Sequence, residues 1–532
     1  MTPPQYDVAI IGFGPCGALA AALLGQQGHK VLVCEKQSGV YDKPRAIALD
    51  HEVMRTFQGL GIAEKILPHT APFTPSEHFG ADGQLIRKLT MLPEPYPMGW
   101  TPSMVFLQPP VEKILRQCAS DQASVTVALS TELIALTQKS SGVTIELKSS
   151  ENASTPTSTT AYAKYLIACD GASSQVRQLL DINLVDLDFD EPWLVVDVLA
   201  NAAGLAKLPA NSAQYCEPAR PISYIVGTGS HRRWEIMLLP GEDPAKMLQP
   251  STVWRLLSRW IAPEEGELWR TASYRFHALI AQQWRKNRVF LAGDAAHQQP
   301  PFLGQGMCQG ARDATNLCWK LSHVLNGNAP ENLLDTYGQE RSAHVMDLTT
   351  TIKGIGLYIC EQDPVLAKAR DQQLIEKAGG TIRPEPRQDL IPKLKTGLFA
   401  CAESIDKHPA HGSLFAQPRV HTMNGQELRL DDVIGGGWRL ITSIDAADWP
   451  LSMPALTDLV EQLNLKVVRL SSSPRPSYLT ESQDVAQRWF NAANCNAAIV
   501  RPDHYVYAVA ENLLELEQYV NALRTVLDLS AS

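Results

Sequence analysis

Three glycines near the start of the chain have the spacing of a dinucleotide-binding turn. Gly12, Gly14 and Gly17 form a Gly-x-Gly-x-x-Gly motif that follows the apolar segment 6–11 and precedes the helix-forming segment 18–27. The first glycine allows a tight turn, the second leaves space for a pyrophosphate beside the backbone, and the third lets the helix pack closely on the strand. The motif therefore predicts a βαβ unit with phosphate bound at the N-terminus of a helix.

A carboxylate stands where such a site would contact the ribose of the nucleotide. The segment 30–34 has the pattern of a second strand and is followed by Glu35 and Lys36. A carboxylate at this place accepts hydrogen bonds from both ribose hydroxyls, which favours an adenosine ribose without a 2′-phosphate. A glycine-rich turn in another kind of α/β protein is the alternative, and the motif alone does not distinguish FAD from NAD.

A second group of residues far downstream favours FAD. An apolar strand over 288–291 ends at Gly293 and Asp294. A Pro-Pro-x-x-Gly-x-Gly segment at 300–306 and a helical stretch at 307–325 come next. The positive end of this helix would face the cofactor and stabilise the negative charge of a reduced flavin. Asp294 would be available to a ribityl hydroxyl, and the two groups together predict an FAD site.

Composition excludes several other classes of protein. The 532 residues carry a net charge of −9 and 19% of them are charged, so no basic surface is predicted for nucleic acid or anionic lipid. The apolar stretch 8–24 contains Pro15 and three glycines and has no basic region before it, which argues against a signal peptide or a membrane span. Ten cysteines occur without a Cys-x-x-Cys pair or a metal-binding cluster. We therefore expect free thiols, no metal site and a cytoplasmic location.

The order of the predicted strands and helices indicates an α/β fold of several domains. A Rossmann-like FAD-binding domain is expected to contain an inserted antiparallel β-sheet substrate domain, and alternating strands and helices predict a separate C-terminal domain. The expected bounds are 1–185 for the first part of the FAD-binding domain, with some substrate-domain loops at 75–105, 186–276 for the substrate domain, 277–396 for the second part of the FAD-binding domain with a helical linker, and 397–532 for the C-terminal domain.

Three motifs in this order resemble those of a known family. They are the glycine motif with Glu35, the Asp-Gly motif at 170–177, and the Gly-Asp motif with Pro-Pro-x-x-Gly-x-Gly. In this combination the chain resembles the single-component, FAD-dependent aromatic hydroxylases of the p-hydroxybenzoate hydroxylase superfamily, the group A flavoprotein monooxygenases. The segments that are most similar to the 3-(3-hydroxyphenyl)propionate hydroxylase branch are 44–47, 106–109, 193–197 and 218–221.

The resemblance implies a set of cofactor contacts. Arg45 could otherwise be a surface cation and Gln108 a polar group at the end of a strand. In the family the Asp-Gly motif touches both FAD and the nicotinamide donor, so Asp170 and Arg177 are candidates for contact with NADH or NADPH, and a helix cap and an ion pair are the alternative. Because no second Gly-x-Gly-x-x-Gly follows a strand, NADH or NADPH is expected to bind transiently as a co-substrate. The residues expected to contact FAD are Gly12, Gly14, Pro15, Gly17, Glu35, Lys36, Arg45, Gln108, Asp170, Gly293, Asp294, Pro301, Gly304, Gly306 and Met307.

The resemblance also implies the reaction, because in this family reduced flavin and O2 form a C4a-hydroperoxide that transfers one oxygen to a phenol ring. A protein group that polarises the phenol hydroxyl would make the ring more nucleophilic. The candidates for catalysis are His51 and Arg220, which stands at the family position of an arginine that helps to govern flavin movement. Tyr215 and Tyr224 are the candidates for substrate binding. For His51 and the two tyrosines, ordinary packing is the alternative.

These expectations describe an FAD-dependent aromatic hydroxylase that acts on a phenol of the 3-(3-hydroxyphenyl)propionate type. One alternative is a hydroxylase of natural-product phenols such as polyketides, and another is a non-catalytic flavin-binding protein. The segment 500–506 resembles the thioredoxin-like tail of phenol-hydroxylating family members. Without Cys-x-x-Cys this thioredoxin-like domain should be redox-inactive, and a role in packing or in a homodimer is expected instead.

Overall fold

The computed structural model describes residues 5–150, 157–400, 408–422, 424–444 and 453–529. Over these ranges the chain forms four β-sheets and fifteen α-helices. The helices are Pro15–Gln26, His51–Gly59, Ala63–Ile66, Gln108–Ser120, Gln175–Leu179, Ala202–Lys207, Pro244–Met247, Pro250–Leu257, Gly306–Leu325, Asp335–Ile359, Pro364–Lys377, Leu430–Ile434, Pro454–Leu463, Val485–Ala492 and Leu513–Val526.

The first sheet contains the dinucleotide fold. Its central strand, Gln5–Ile11, pairs in parallel with strands on both sides. The second half of this strand is fully buried, which explains its continuous apolar sequence. The strands follow the order Arg285–Lys286, Val289–Leu291, Thr157–Ala168, Gln5–Ile11, Val31–Cys34 and Val125–Ala128, and an antiparallel meander of Gly142–Ser149 and Thr131–Lys139 extends from Thr157–Ala168.

The second sheet is mostly antiparallel. Its two longest strands pair with each other along most of their length. Three short strands at one edge come from outside the expected substrate domain, two from the segment 76–90 and one from 385–386. The strand order is His297–Gln298, Gly266–Ala281, Leu184–Ala200, His231–Met237, Ile222–Val226, Ser212–Tyr215, Ser76–Phe79, Leu85–Thr90 and Glu385–Pro386.

Two further sheets complete the described structure. A small antiparallel sheet joins Ala48–Asp50, Ser103–Phe106 and Thr70–Pro72. The C-terminal sheet has a parallel centre with antiparallel strands on both sides. Its order is Glu427–Arg429, Arg419–His421, Leu479–Glu481, Lys466–Ser471, Arg439–Thr442, Ala497–Val500 and Val506–Ala510.

The two faces of the second sheet have different surroundings. Because side chains alternate along a strand, Trp234 and Ile236 of the strand His231–Met237 point into an apolar cluster on one face. Met237 on the opposite face belongs to an apolar cluster that includes Phe302 of the FAD-binding domain. The sheet therefore covers the first domain with one face and has its own core on the other.

Buried ion pairs join the C-terminal domain to the FAD-binding domain. Arg501 donates two hydrogen bonds to the Glu340 carboxylate, at 2.9 and 2.7 Å, and also pairs with Asp503. Lys320 donates to Oε2 of the same carboxylate at 2.8 Å. Burial acts to raise the pKa of Glu340, but Arg501 and Lys320 lower it to about 2. The carboxylate is therefore charged, and it depends on these two cations for its burial.

The architecture expected from the sequence is confirmed. A Rossmann-like domain contains the inserted sheet, and a separate α/β domain of the thioredoxin-like kind follows. The domain bounds stay predictions, and the strands at 76–90 and 385–386 add to the second sheet from outside the expected range 186–276. Among the described residues, no helix combines the length and the apolar character needed to cross a bilayer. The same ranges contain no cluster of His, Cys, Asp or Glu suited to a metal ion.

Replacing Arg501 tests the buried ion pairs. We expect Arg501→Ala to lower the free energy of unfolding by about 3–5 kcal/mol, because it leaves the Glu340 carboxylate buried with one cation fewer. Urea denaturation followed by circular dichroism measures this change. Lys368→Ala, which removes an exposed pair with Asp82, is the matched control and should stay close to the parent. Equal stability of the two variants would contradict the expectation.

Candidate functional site

A cavity of about 1220 Å³ lies between the FAD-binding domain and the second sheet. It exceeds the range of about 300–1,000 Å³ that is typical of a site for one small ligand, so a dinucleotide and a second molecule can share it. One wall consists of loops at the ends of the parallel strands. Of the fifteen residues expected to contact FAD, all except Gly17 line it: Gly12, Gly14, Pro15, Glu35, Lys36, Arg45, Gln108, Asp170, Gly293, Asp294, Pro301, Gly304, Gly306 and Met307.

The three glycines of the first motif have different surroundings. Gly12 has a φ of +97°, and a Cβ there would lie 2.3 Å from the Cys169 carbonyl oxygen. A Cβ on Gly17 would lie 2.0 Å from the Gly12 carbonyl oxygen, so this glycine serves the packing of helix against strand. A Cβ on Gly14 would have no neighbour within 4 Å. The space above Gly14, next to the start of the helix Pro15–Gln26, can therefore receive a phosphate.

Glu35 lies at the end of the strand Val31–Cys34 and is held by backbone groups. Its two carboxylate oxygens accept hydrogen bonds from the backbone N–H groups of Phe13 and Gln37, both at 2.8 Å. Each oxygen of a carboxylate can accept more than one hydrogen bond. Glu35 is thus fixed in orientation at the cavity wall and retains acceptor capacity for ribose hydroxyls.

Gln108 fixes the segment that contains Arg45. Its Oε1 accepts hydrogen bonds from the backbone N–H groups of Arg45, at 3.2 Å, and Ala46, at 2.7 Å. Its Nε2 donates to Glu112 at 3.0 Å. The Arg45 side chain is exposed at the cavity and lies over the Tyr41 ring, 5.9 Å from the ring centroid. Gln108 is therefore a positioning group, and the Arg45 side chain is the one open to a cofactor.

Asp294 points into the cavity without a hydrogen-bond partner among the described residues. Desolvation by the surrounding protein raises the pKa of its carboxyl. Asp170 is similar, because its Oδ2 accepts from the Val176 N–H at 3.0 Å while its buried Oδ1 has no partner in the described part of the chain. Burial raises the pKa of Asp170 as well. Both carboxyl groups could accept hydrogen bonds from a ligand that offers hydroxyl or N–H donors.

The downstream motif places a second helix N-terminus at the cavity. Gly304 has a φ of +63°, and a Cβ there would lie 2.6 Å from the Ala48 Cβ. A Cβ on Gly306 would have no neighbour within 4 Å. The helix Gly306–Leu325 starts at this open position, so its free N–H groups and its positive end face the cavity. This arrangement suits the negatively charged edge of a reduced flavin.

The two expected catalytic residues lie outside the residues that line this cavity. His51 is buried beside a separate cavity of about 180 Å³, and burial lowers its pKa to about 4. Arg220 pairs with Glu242, at 2.6 and 2.9 Å, and donates to the Met237 carbonyl oxygen at 2.9 Å. The structure therefore places neither side chain at the wall that would face a substrate.

The two expected substrate-binding tyrosines belong mainly to the outer core of the second sheet. Tyr215 does not line the large cavity, and its ring stacks on Phe79 with centroids 5.7 Å apart. Tyr224 borders the cavity, but its hydroxyl donates to the Pro209 carbonyl oxygen at 3.1 Å, and burial raises its pKa to about 12. Their pairing register puts both side chains on the face that carries Trp234 and Ile236.

Sequence reasoning missed residues that organise the site. Asp313 is buried in the helix Gly306–Leu325 and accepts hydrogen bonds from the Gly293 N–H at 2.9 Å, from His297 at 2.7 Å and from Arg341 at 2.8 Å. Although burial acts to raise it, His297 and Arg341 hold the pKa of Asp313 below its ordinary value. The sequence signal that could have identified Asp313 is its charge within the helical stretch 307–325, which is rich in apolar and small residues.

A second missed group lies on the sheet wall of the cavity. Asp197 accepts hydrogen bonds from Arg233 and His231 and lies 3.4 Å from Arg270. Glu235, two residues after Arg233 on the same strand, also lines the cavity. In the sequence 231–237, charged residues at 233 and 235 alternate with Trp234 and Ile236. This period-two pattern predicts one polar face, but it does not reveal that the polar face is enclosed.

Comparisons with known proteins show which proteins the chain is similar to. A family model described as FAD binding domain matches residues 5–351, and one described as HcaD C-terminal domain matches residues 412–526. The chain is 36% identical to the "Probable NADH-specific resorcinol 4-hydroxylase" of Rhodococcus jostii (strain RHA1) over 526 residues, which cover 96% of this chain and 93% of that protein. It is 32% identical to the "3-(3-hydroxy-phenyl)propionate/3-hydroxycinnamic acid hydroxylase" of Shigella sonnei (strain Ss046), with coverages of 95% and 92%.

Solved structures share the fold over nearly the whole chain. The flavin-dependent monooxygenase PieE in complex with FAD and substrate matches with a TM-score of 0.79 and 19% identity, covering 98% of this chain and 99% of PieE. A ternary complex of aklavinone-11 hydroxylase with FAD and aklavinone matches with a TM-score of 0.77 and 23% identity, with coverages of 99% and 100%. At these identities the likeness concerns the fold.

Filling the space above Gly14 tests the phosphate position. We expect Gly14→Trp to abolish flavin retention, because the new side chain would occupy the approach of the pyrophosphate. The flavin absorbance per mole of purified protein measures the effect. Gly354→Trp, in an open and exposed position of the helix Asp335–Ile359, is the control and should retain flavin. A Gly14→Trp protein with full flavin content would refute the assignment.

Removing the Asp294 carboxylate tests its contact with the cofactor. We expect Asp294→Ala to raise the dissociation constant for FAD about tenfold or more, because a hydrogen bond to a charged group contributes about 1.5–3 kcal/mol. Asp294→Asn keeps one acceptor oxygen and should lose less. Fluorescence titration of the apoprotein with FAD gives both constants, and unchanged values would exclude the contact.

Proposed function

Since this chain belongs to the FAD-dependent aromatic hydroxylases, we propose that it hydroxylates a small phenol with a second polar group meta to the hydroxyl. The family expected from the sequence is confirmed by the matches to the FAD binding domain and to relatives of more than 30% identity over the whole chain. The protein is a flavin-dependent monooxygenase that takes electrons from NADH or NADPH. The identity of the phenol is the part that we propose.

The proposal rests on two relatives that match over nearly their whole length and that are both named for a meta-substituted phenol. Resorcinol is a phenol with a second hydroxyl in the meta position, and 3-(3-hydroxyphenyl)propionate carries its propionate chain in the same position. The sequence favours the 3-(3-hydroxyphenyl)propionate type, and this preference stays a prediction. The name of the Rhodococcus relative supports NADH as the electron donor of this chain.

The second sheet offers a wall that suits such a ring. Val195, Ile225 and Phe276 give it apolar surface, and Gln214 and Glu235 give it polar groups. The apolar side chains can pack on the faces of a ring and exclude water, while the polar groups can orient its substituents. Bound FAD, once reduced, supplies the activation of O2 for transfer of one oxygen atom to the ring. The protein's part is to hold the ring beside the start of the helix Gly306–Leu325.

The test is NADH consumption and product mass with matched phenols. We expect resorcinol or 3-(3-hydroxyphenyl)propionate to stimulate aerobic NADH oxidation by the FAD-loaded protein and to give a product heavier by one oxygen atom. NADPH should be consumed more slowly. The matched control 3-phenylpropionate lacks the hydroxyl and should give no oxygenated product, because without a hydroxyl donor its ring is not nucleophilic enough to react.

The outcomes separate the substrate classes. Product from either meta-substituted phenol supports the proposal, and the ratio of the two kcat/KM values identifies the preferred substituent. Stimulation by larger polycyclic phenols alone would overturn it in favour of natural-product hydroxylation. Inertness toward NADH with every phenol would also overturn it.

A further inference from the structure

Glu235 occupies the centre of the cavity-facing side of the second sheet. It lies on the strand His231–Met237, directly opposite Val195 on one neighbouring strand and Ser223 on the other. Side chains that face each other across antiparallel strands lie on the same side of the sheet. Val195 and Glu235 both line the large cavity, so this side is the cavity wall.

Two anchors on the same strand fix the place of Glu235 relative to the FAD-binding domain. Arg233 donates to the backbone oxygen of Arg45 at 2.7 Å, next to one expected cofactor segment. Met237 packs in a cluster with Phe302 and Leu303, directly before Gly304 of the other cofactor segment. Glu235 lies between these anchors, about 7 Å along the strand from each. Its carboxyl group therefore faces the space between the two segments.

The Glu235 carboxyl has no protein partner within the described ranges. Its side chain is 5% exposed, yet it forms no hydrogen bond or salt bridge with any described residue. The neighbouring polar groups are already engaged, because the Ser223 hydroxyl donates to Gln214 and Arg233 pairs with Asp197. Because Glu235 lines the cavity, its carboxylate oxygens have acceptor sites open to a ligand that supplies a donor.

The electrostatic environment makes this carboxyl a proton acceptor near neutral pH. Burial raises its pKa to about 7, with Asp197 acting in the same direction and with Arg233 and Arg270 opposing. The two residues directly opposite Glu235 on the neighbouring strands, Val195 and Ser223, carry no charge. A base with a pKa close to the working pH is the most effective, since about half of it is ionised and its carboxylate still binds a proton strongly.

We propose that the Glu235 carboxylate accepts the hydroxyl proton of the bound phenol. The assignment rests on the proposed function, because it requires a phenol in this cavity. Glu235 is then a catalytic residue that touches the substrate, in place of the expected His51 or Arg220. Its negative charge also disfavours a substrate carboxylate at this wall, so the meta substituent of the phenol points away from the sheet.

The proton transfer balances without another reactant. The phenol O–H bond breaks, its electron pair stays on the phenolate oxygen, and a new O–H bond forms on the Glu235 carboxylate. The added electron density raises the nucleophilicity of the ring carbons ortho and para to that oxygen. Over a full cycle, the phenol, NADH, O2 and a proton give the phenol with one added hydroxyl, NAD⁺ and water. Glu235 returns its proton to the product.

Glu235→Gln is the primary test, with resorcinol as substrate. We expect kcat for product formation to fall about 100-fold or more, because the amide cannot take the proton. In the parent, kcat/KM should increase as pH rises through about 7, and in the variant this increase should disappear.

Two controls separate a catalytic from a structural role. Glu191→Gln changes a half-buried carboxyl of the same sheet that is not among the cavity-lining residues, and it should keep the parent rate. A fluorinated resorcinol that is already ionised at the assay pH should recover most of the rate with Glu235→Gln, which a damaged fold would not allow. Glu235→Asp, which keeps the carboxylate on a shorter chain, provides a second variant and should retain an intermediate rate.

The results distinguish this role from the proposed function. If the parent hydroxylates resorcinol and Glu235→Gln does so at the same rate with the same pH dependence, the role of Glu235 is overturned and the function stands. Equal loss with resorcinol and with the ionised analogue would also overturn it. If the parent hydroxylates no phenol, the proposed function fails, and the role of Glu235 fails with it.

Discussion

The burial of charged side chains in the helix Gly306–Leu325 is the constraint on which the site depends. Asp313 and Arg312 are almost fully buried, and a buried charge must be matched by partners at hydrogen-bond distance. Asp313 finds three donors, one of them the N–H of Gly293 beside Asp294. Arg312 pairs with Asp50 and Glu52, both at 2.6 Å. These bonds fix the helix start and the Gly293 turn relative to each other, so this part of the cavity wall is formed in advance.

A comparable buried charge holds the opposite wall in place. Asp197 compensates Arg233 and Arg270, and both arginines extend to the Pro44 carbonyl oxygen in the FAD-binding domain. The inserted sheet is thereby attached at the segment that contains Arg45. Glu235 remains outside this network, which leaves its carboxyl available to a ligand. A fully paired carboxylate at the same place would be a structural group only.

The C-terminal domain also supplies partners to the central helix. The Tyr505 hydroxyl donates to Glu52 at 3.1 Å, and Glu52 in turn holds Arg312. Arg501 compensates Glu340 on the helix Asp335–Ile359, which also binds Lys320. This domain thus supports the helices of the FAD-binding domain through buried hydrogen bonds and charge pairs. Its contribution to the structure does not require a redox-active dithiol.

The sequence by itself determined the cofactor class and the fold, and it predicted many of the residues that line the large cavity, because these depend on local rules. A glycine that must adopt a positive φ or meet another backbone, as at Gly12, is recognisable from spacing alone. The tertiary structure decided which face of the second sheet lines the cavity. Tyr215 and Glu235 both lie on strands of one sheet, and only the packing of the two faces determines which side chain meets the cavity. Strand periodicity separates the faces, but the long-range contacts that enclose one of them are absent from the local pattern.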